Sequence, residues 1–185
     1  ENPYYKHNEI SIDSFENLKK TIESCHILDV NFIIFPLVDN GSIKNLPSEK
    51  LFHSLSKLSY LLDKNVNIIF ELDLEPYKVL EFIKNIDKNL FGINYDTGNS
   101  SSYGFKFEEE MSLYYKYIKN IHIKDRKKNS VSAPLGLGDF NFKKFKNFFD
   151  NNKYEGVFIL QTAKTSENNN LFELNKNRDF ILNLS

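Results

Sequence analysis

The chain has 185 residues, 41% hydrophobic and 26% charged, which is enough apolar sequence to bury a core and excludes collagen, a coiled coil and a disordered tail. Asp plus Glu number 25 and Lys plus Arg 24, so the net charge of -1 leaves no footprint for general binding to nucleic acid or to a membrane surface. Cys25 has no partner for an internal disulfide and no apolar run approaches the ~18 residues of a membrane span, so a cytoplasmic location is expected. The first residue is Glu1 rather than Met, with no secretion signal after it, and a preceding segment is expected to have been removed or left out.

In chain order, the first helix is expected behind Asp13 or Ser14 as N-cap, with Phe15, Leu18, Ile22, Cys25 and Leu28 on its apolar stripe. A strand over 31–37 (NFIIFPL) follows, then a helix opened by Pro47 that carries Leu51, Leu55, Leu58 and Leu62 inward. The run 66–72 (VNIIFEL) is the second strand, and a helix from about Pro76 turns Val79, Leu80 and Ile83 to the core. The third strand covers 90–96 (LFGINYD). The helix after it is expected over 107–118, with Glu108 to Glu110 at the positive end of its dipole. The fourth strand lies at 120–124 (NIHIK), followed by a helix over 142–149 capped by Asp139. The fifth strand is 156–161 (GVFILQ), the Asn-rich stretch 167–170 is a surface loop, and a last helix holds Phe180, Ile181 and Leu184. Apolar runs this short and continuous predict strands buried on both faces.

Strand and helix in alternation imply a parallel sheet with right-handed crossovers, either an open doubly wound sheet or a (β/α) barrel, which is complete at about 250 residues and eight units. No glycine-rich phosphate-binding turn follows any strand, which weakens the open-sheet nucleotide binder, and no linker divides residues 1–185. Polar residues at strand ends are informative, because strand interiors should be apolar. Glu71, Asp96, His122 and Gln161 fall at or near the C-terminal ends of successive strands, the edge where both architectures place their sites. Two carboxylates, an imidazole and an amide oxygen there suit a divalent cation, with Mn, Mg or Co favoured and Zn acceptable. Taken singly, a strand-end Asp is commonly a helix cap and a buried His a satisfied core group; four in register favour the joint reading.

Lys124 shares the face of His122 two residues earlier and is a candidate for the same cavity. Arg126, one of only two arginines, is placed to bind a carboxylate, phosphate or vicinal hydroxyls, or alternatively to pair with Asp125. Asp39 is a weaker candidate of the same kind. His7, His26 and His53 read as surface or helix-face residues.

Several segments together resemble the xylose isomerase-like TIM barrels, a family of sugar and sugar-phosphate isomerases and epimerases. They are Ile69–Leu72 (IFEL), Asn94–Asn99 (NYDTGN), His122–Arg126 (HIKDR), Pro134–Phe140 (PLGLGDF) and Tyr154–Gly156 (YEG), and the likeness runs over roughly Phe32 to Thr162. It implies the last five βα units of an eight-unit barrel, with no counterpart of strands one to three. It also implies a metal held by Glu71, Asp96, His122 and Gln161, with Glu71 as the base that moves a proton beside a polarised carbonyl. Lys124 is a second catalytic candidate, and Arg126, Gln161 and Asn99 would bind substrate.

Gln161 departs from the family pattern. Relatives that exchange protons on both faces of a carbon carry a second Glu there, and an amide cannot accept or deliver the proton, so Gln161 tilts the expectation from epimerase toward isomerase. The rivals are a polyol dehydratase of the same superfamily and a degenerate barrel that binds a ligand or partner without turnover. An abasic-site endonuclease is disfavoured because such enzymes gather many more strand-end histidines. A five-unit barrel would expose strand edges, which predicts either an absent N-terminal segment or a homo-oligomer to cover them.

Overall fold

The computed structural model describes residues 5–6, 9–10, 12–45, 53, 56–57, 59–60, 62, 66–162 and 169–184. Five strands, β1 (Phe32–Leu37), β2 (Asn67–Leu72), β3 (Phe91–Asp96), β4 (Ile118–Ile123) and β5 (Val157–Leu160), form one sheet in the order β1-β2-β3-β4-β5. Each falls within a residue or two of its predicted bounds. Spatial order equals chain order, the arrangement that successive right-handed βα crossovers generate. The helices are α1 (Ile12–Leu28), α2 (Pro76–Lys84), α3 (Thr97–Tyr103), α4 (Phe107–Tyr114), α5 (Phe142–Asn151) and α6 (Asn170–Leu182). The chain divides into two compact units, Glu1–Asn94 and Tyr95–Ser185, and the boundary falls inside β3.

In the first unit, β1 and β2 pair in parallel from Phe32↔Asn67 to Leu37↔Leu72, and β2 pairs in parallel with β3 from Ile68↔Phe91 to Glu71↔Asn94. The alternation of side chains turns Phe70 into a cluster with Phe35, Phe82 and Phe91, its ring edge-on to the first two and stacked on the third. Val79 and Ile83 of α2 are buried as the spacing predicts, as are Leu18, Ile22 and Cys25 of α1. Leu28 departs from the predicted stripe and is 71% exposed at the helix end. Helix α1 runs from Ile12, so Asp13 and Ser14 lie within its first turn. The predicted helix over Leu51–Leu62 lies for the most part outside the described residues, as does His7; Leu62 is buried, and His26 and His53 are exposed.

In the second unit, β4 and β5 pair in parallel from Asn120↔Val157 to Ile123↔Leu160. Strand β4 is buried on both faces but β5 is not: Val157, Phe158 and Ile159 are 47%, 44% and 36% exposed. As the last strand in the sheet it has one hydrogen-bonded neighbour, and that corrects the expectation of two covered faces. The helix expected to reach Ile118 stops at Tyr114, a 3-10 turn follows over Tyr115–Tyr117, and Ile118 opens β4. The cap of α5 is Asn141, whose Oδ1 accepts from the Lys144 N–H at 3.0 Å; Asp139 instead accepts from the Lys128 N–H at 2.7 Å. Phe142 and Phe145 of α5 are buried among Phe140, Phe107 and Phe149. The last helix begins at Asn170, the end of the stretch expected to be loop. Among the described residues no helix is long and apolar enough to cross a membrane.

Candidate metal centre

Glu71 ends the buried run of β2, and its register partner across the ladder is Asn94. Asn94 Nδ2 donates to Glu71 Oε2 at 2.8 Å, which fixes the carboxylate by a neighbour whose role the sequence does not signal. Asp96 ends β3 and caps α3, its Oδ1 accepting from the Asn99 N–H at 2.8 Å. The sequence set the cap and the ligand as alternatives, but a carboxylate has two oxygens and Oδ1 alone makes the cap. Asp96 Oδ2 lies 3.9 Å from His122 Nδ1, both side chains buried. Glu71, Asp96 and His122 each offer one ligand atom, and these atoms all lie within 4.8 Å of one another. Bonds of about 2.0–2.3 Å to one cation place its ligand atoms about 3–4.5 Å apart. Two carboxylates and an imidazole suit Mn, Mg, Co or Zn.

Helix α3, which the sequence does not signal, carries much of the remaining polar structure. Its run TGNSSS reads as a loop by composition, yet Asp96 supplies the cap and Gly104 closes it in a left-handed conformation at φ 74°. Thr97 Oγ1 accepts from the Lys124 N–H at 2.9 Å and donates to the Lys124 carbonyl at 2.5 Å, joining the first residue of α3 to the end of β4. Lys124 lies just past that strand rather than within it. Its side chain crosses the first turn of α3, where a Cβ on Gly98 would stand 2.8 Å from Lys124 Cγ. Beyond it, Lys124 Nζ donates to Gln161 Oε1 at 3.4 Å; the Gln161 N–H continues the ladder by donating to the Ile123 carbonyl at 2.9 Å. Gln161 is exposed.

Arg126 does not pair with the Asp125 carboxylate. That carboxylate is fully buried and accepts from the backbone N–H groups of Arg126, Gly136 and Gly138 at 2.9 Å and of Phe140 at 3.3 Å. Burial pushes its carboxyl up, opposed by the four donors. The Arg126 guanidinium donates instead to Asn99 Oδ1 at 3.2 Å and to the Ser130 carbonyl at 3.0 Å, so two predicted substrate-binding residues are in contact. The PLGLGDF motif is thus a wrap around Asp125, and a Cβ on Gly138 would collide with the carboxylate. Gly138→Ala is expected to lower the unfolding free energy by about 1–3 kcal/mol, read from the urea midpoint. Asp39, the weaker candidate, lies exposed in a 3-10 turn at Asp39–Gly41.

A family model described as xylose isomerase-like TIM barrel matches residues 2–183. The chain belongs to that family. Solved structures with this barrel fold agree at low identity. A xylose isomerase domain protein from Planctomyces limnophilus is 17% identical with a TM-score of 0.71, over 93% of this chain and 64% of its own. The IOLI protein, solved with a binding zinc atom, is 14% identical with a TM-score of 0.72, over 94% and 70%. D-psicose 3-epimerase from Clostridium cellulolyticum H10, solved with D-tagatose, is 14% identical with a TM-score of 0.73, over 99% and 75%. The chain therefore spans about two thirds to three quarters of the length of these barrels. No curated protein matches it.

Proposed function

We propose that this chain provides the metal centre of a divalent-metal-dependent isomerase acting on a small sugar or sugar phosphate. The observation that carries the reading is the Glu71, Asp96 and His122 group, three ligands suited to one divalent ion with their atoms within 4.8 Å. Membership of a family that includes a D-psicose 3-epimerase and a zinc-binding protein among its structural neighbours supports the same class of chemistry.

A bound divalent cation supplies Lewis acidity, which makes a proton beside a carbonyl removable. Asp96 and His122 serve as ligands only. Glu71 is ligand and base: held at Oε2 by Asn94, its carboxylate takes the proton from one carbon, trades it with solvent and delivers one to the next carbon on the same face of the sugar, while the hydroxyl proton passes to the former carbonyl oxygen. The Lys124 ammonium lies beside a neutral amide, Gln161, and steadies negative charge that develops on a substrate oxygen. Gln161 offers its amide oxygen to the cation or to a sugar hydroxyl. It takes no proton, and for that reason the reading favours transfer along one face over epimerisation. Arg126 and Asn99 bind the far end of the substrate, by hydroxyl or phosphate oxygens.

The test is solvent exchange. With Mn, ketohexoses, pentoses and their phosphates incubated in deuterated water should gain one deuterium at a carbon next to the carbonyl, seen by mass spectrometry. No incorporation into any of them with the metal bound would contradict the proposal.

A further inference from the structure

The second unit contains a buried polar knot outside the metal chemistry. Glu110 of α4 is 2% exposed, and its carboxylate accepts from three hydroxyls: Tyr95 Oη at 2.8 Å and Ser100 Oγ at 2.5 Å on Oε2, and Tyr114 Oη at 2.7 Å on Oε1. Burial pushes the carboxyl up from its ordinary range, against the hydroxyls that hold it down.

What Oε2 holds is specific. Tyr95 is the residue before Asp96 on β3, and Ser100 is the residue after Asn99 on α3. Between these two anchors lies the turn in which Asp96 Oδ1 accepts from the Asn99 N–H and Asn99 Oδ1 receives the Arg126 guanidinium. A single oxygen ties down both flanks of the segment that presents one proposed metal ligand and one proposed substrate contact. We propose that Glu110 is a positioning residue that sets the Asp96 carboxylate and the Asn99 side chain through its hydrogen bonds to Tyr95 and Ser100. The inference rests on the reading of Asp96 as a metal ligand.

Glu110→Gln keeps the volume but replaces one of two acceptor oxygens by a donor, leaving a single oxygen for the hydroxyls of Tyr95, Ser100 and Tyr114. Titration calorimetry of the full chain with Mn should give a dissociation constant about 10–100-fold weaker than the unaltered chain, the usual effect of removing a partner behind a metal ligand. Ser100→Ala, which cuts only the α3 anchor, should shift it in the same direction and serves if Glu110→Gln does not fold. Phe142→Leu, a core change on α5, is the control: it should lower the thermal midpoint and leave Mn affinity unchanged. Unchanged affinity in both anchor variants, or a loss no greater than in Phe142→Leu at matched stability, overturns the positioning role. Hydrogen exchange of the Asn99 amide, followed without metal, should quicken at least about tenfold in Glu110→Gln, as expected for a locally loosened turn. An unchanged rate in both Glu110→Gln and Ser100→Ala overturns the proposal even where the unaltered chain binds Mn. Quickened exchange in a chain that binds no Mn upholds the anchoring and sinks only the metal reading.

Discussion

Glu71→Gln is expected to abolish deuterium exchange into the substrate while leaving a divalent ion in the protein. The substitution retains an oxygen for the cation and removes the group that takes the proton, a contribution of about 10²–10⁴ in rate. The single amide oxygen cannot serve the cation and Asn94 Nδ2 separately, so some loss of metal affinity accompanies the change. Metal content and exchange rate measured on the same sample separate the two roles. Exchange within a few-fold of the unaltered chain would move the base elsewhere, and Lys124 would be the next residue to change.

The second large effect concerns the ligands. His122→Ala should weaken Mn binding by more than about 100-fold, since even partners behind a ligand account for 10–100-fold. Asp96 needs a more selective change, because Asp96→Ala also removes the α3 cap, a loss of about 1 kcal/mol. Asp96→Asn keeps an oxygen for the Asn99 N–H and discards the charge. It should therefore weaken Mn binding by a similar order while leaving the thermal midpoint of the metal-free chain close to that of the unaltered protein. Unchanged affinity in both variants would remove these residues from the centre.

Much of this was legible in the sequence, for a topological reason. In a parallel sheet every C-terminal strand end lies on one edge, so Glu71, Asp96 and His122 could be grouped from strand positions alone. The residues that support them could not. Asn94 becomes a partner of Glu71 only through the β2–β3 register, and registers are not written in composition. Helix α3 is not signalled by its composition, because Ser, Thr, Asn and Gly favour caps and turns over helix interiors. It forms where Asp96 caps it and Glu110 reaches in from α4. The preference for Asp139 over Asn141 as the α5 cap failed because both residue types cap well; the wrap around Asp125 decided between them by drawing Asp139 toward Lys128. The exposure of β5 reflects its place at the end of the sheet, since its apolar sequence alone predicts burial.

In the proposed centre Glu71, Asp96 and His122 bind one divalent ion together. Its most direct measurement is a calorimetric titration of the chelator-treated full chain with Mn, backed by elemental analysis after desalting. One ion per chain is expected, with binding lost on changing His122 to Ala. A chain that takes up no divalent ion, or takes it up equally well without His122, would contradict it.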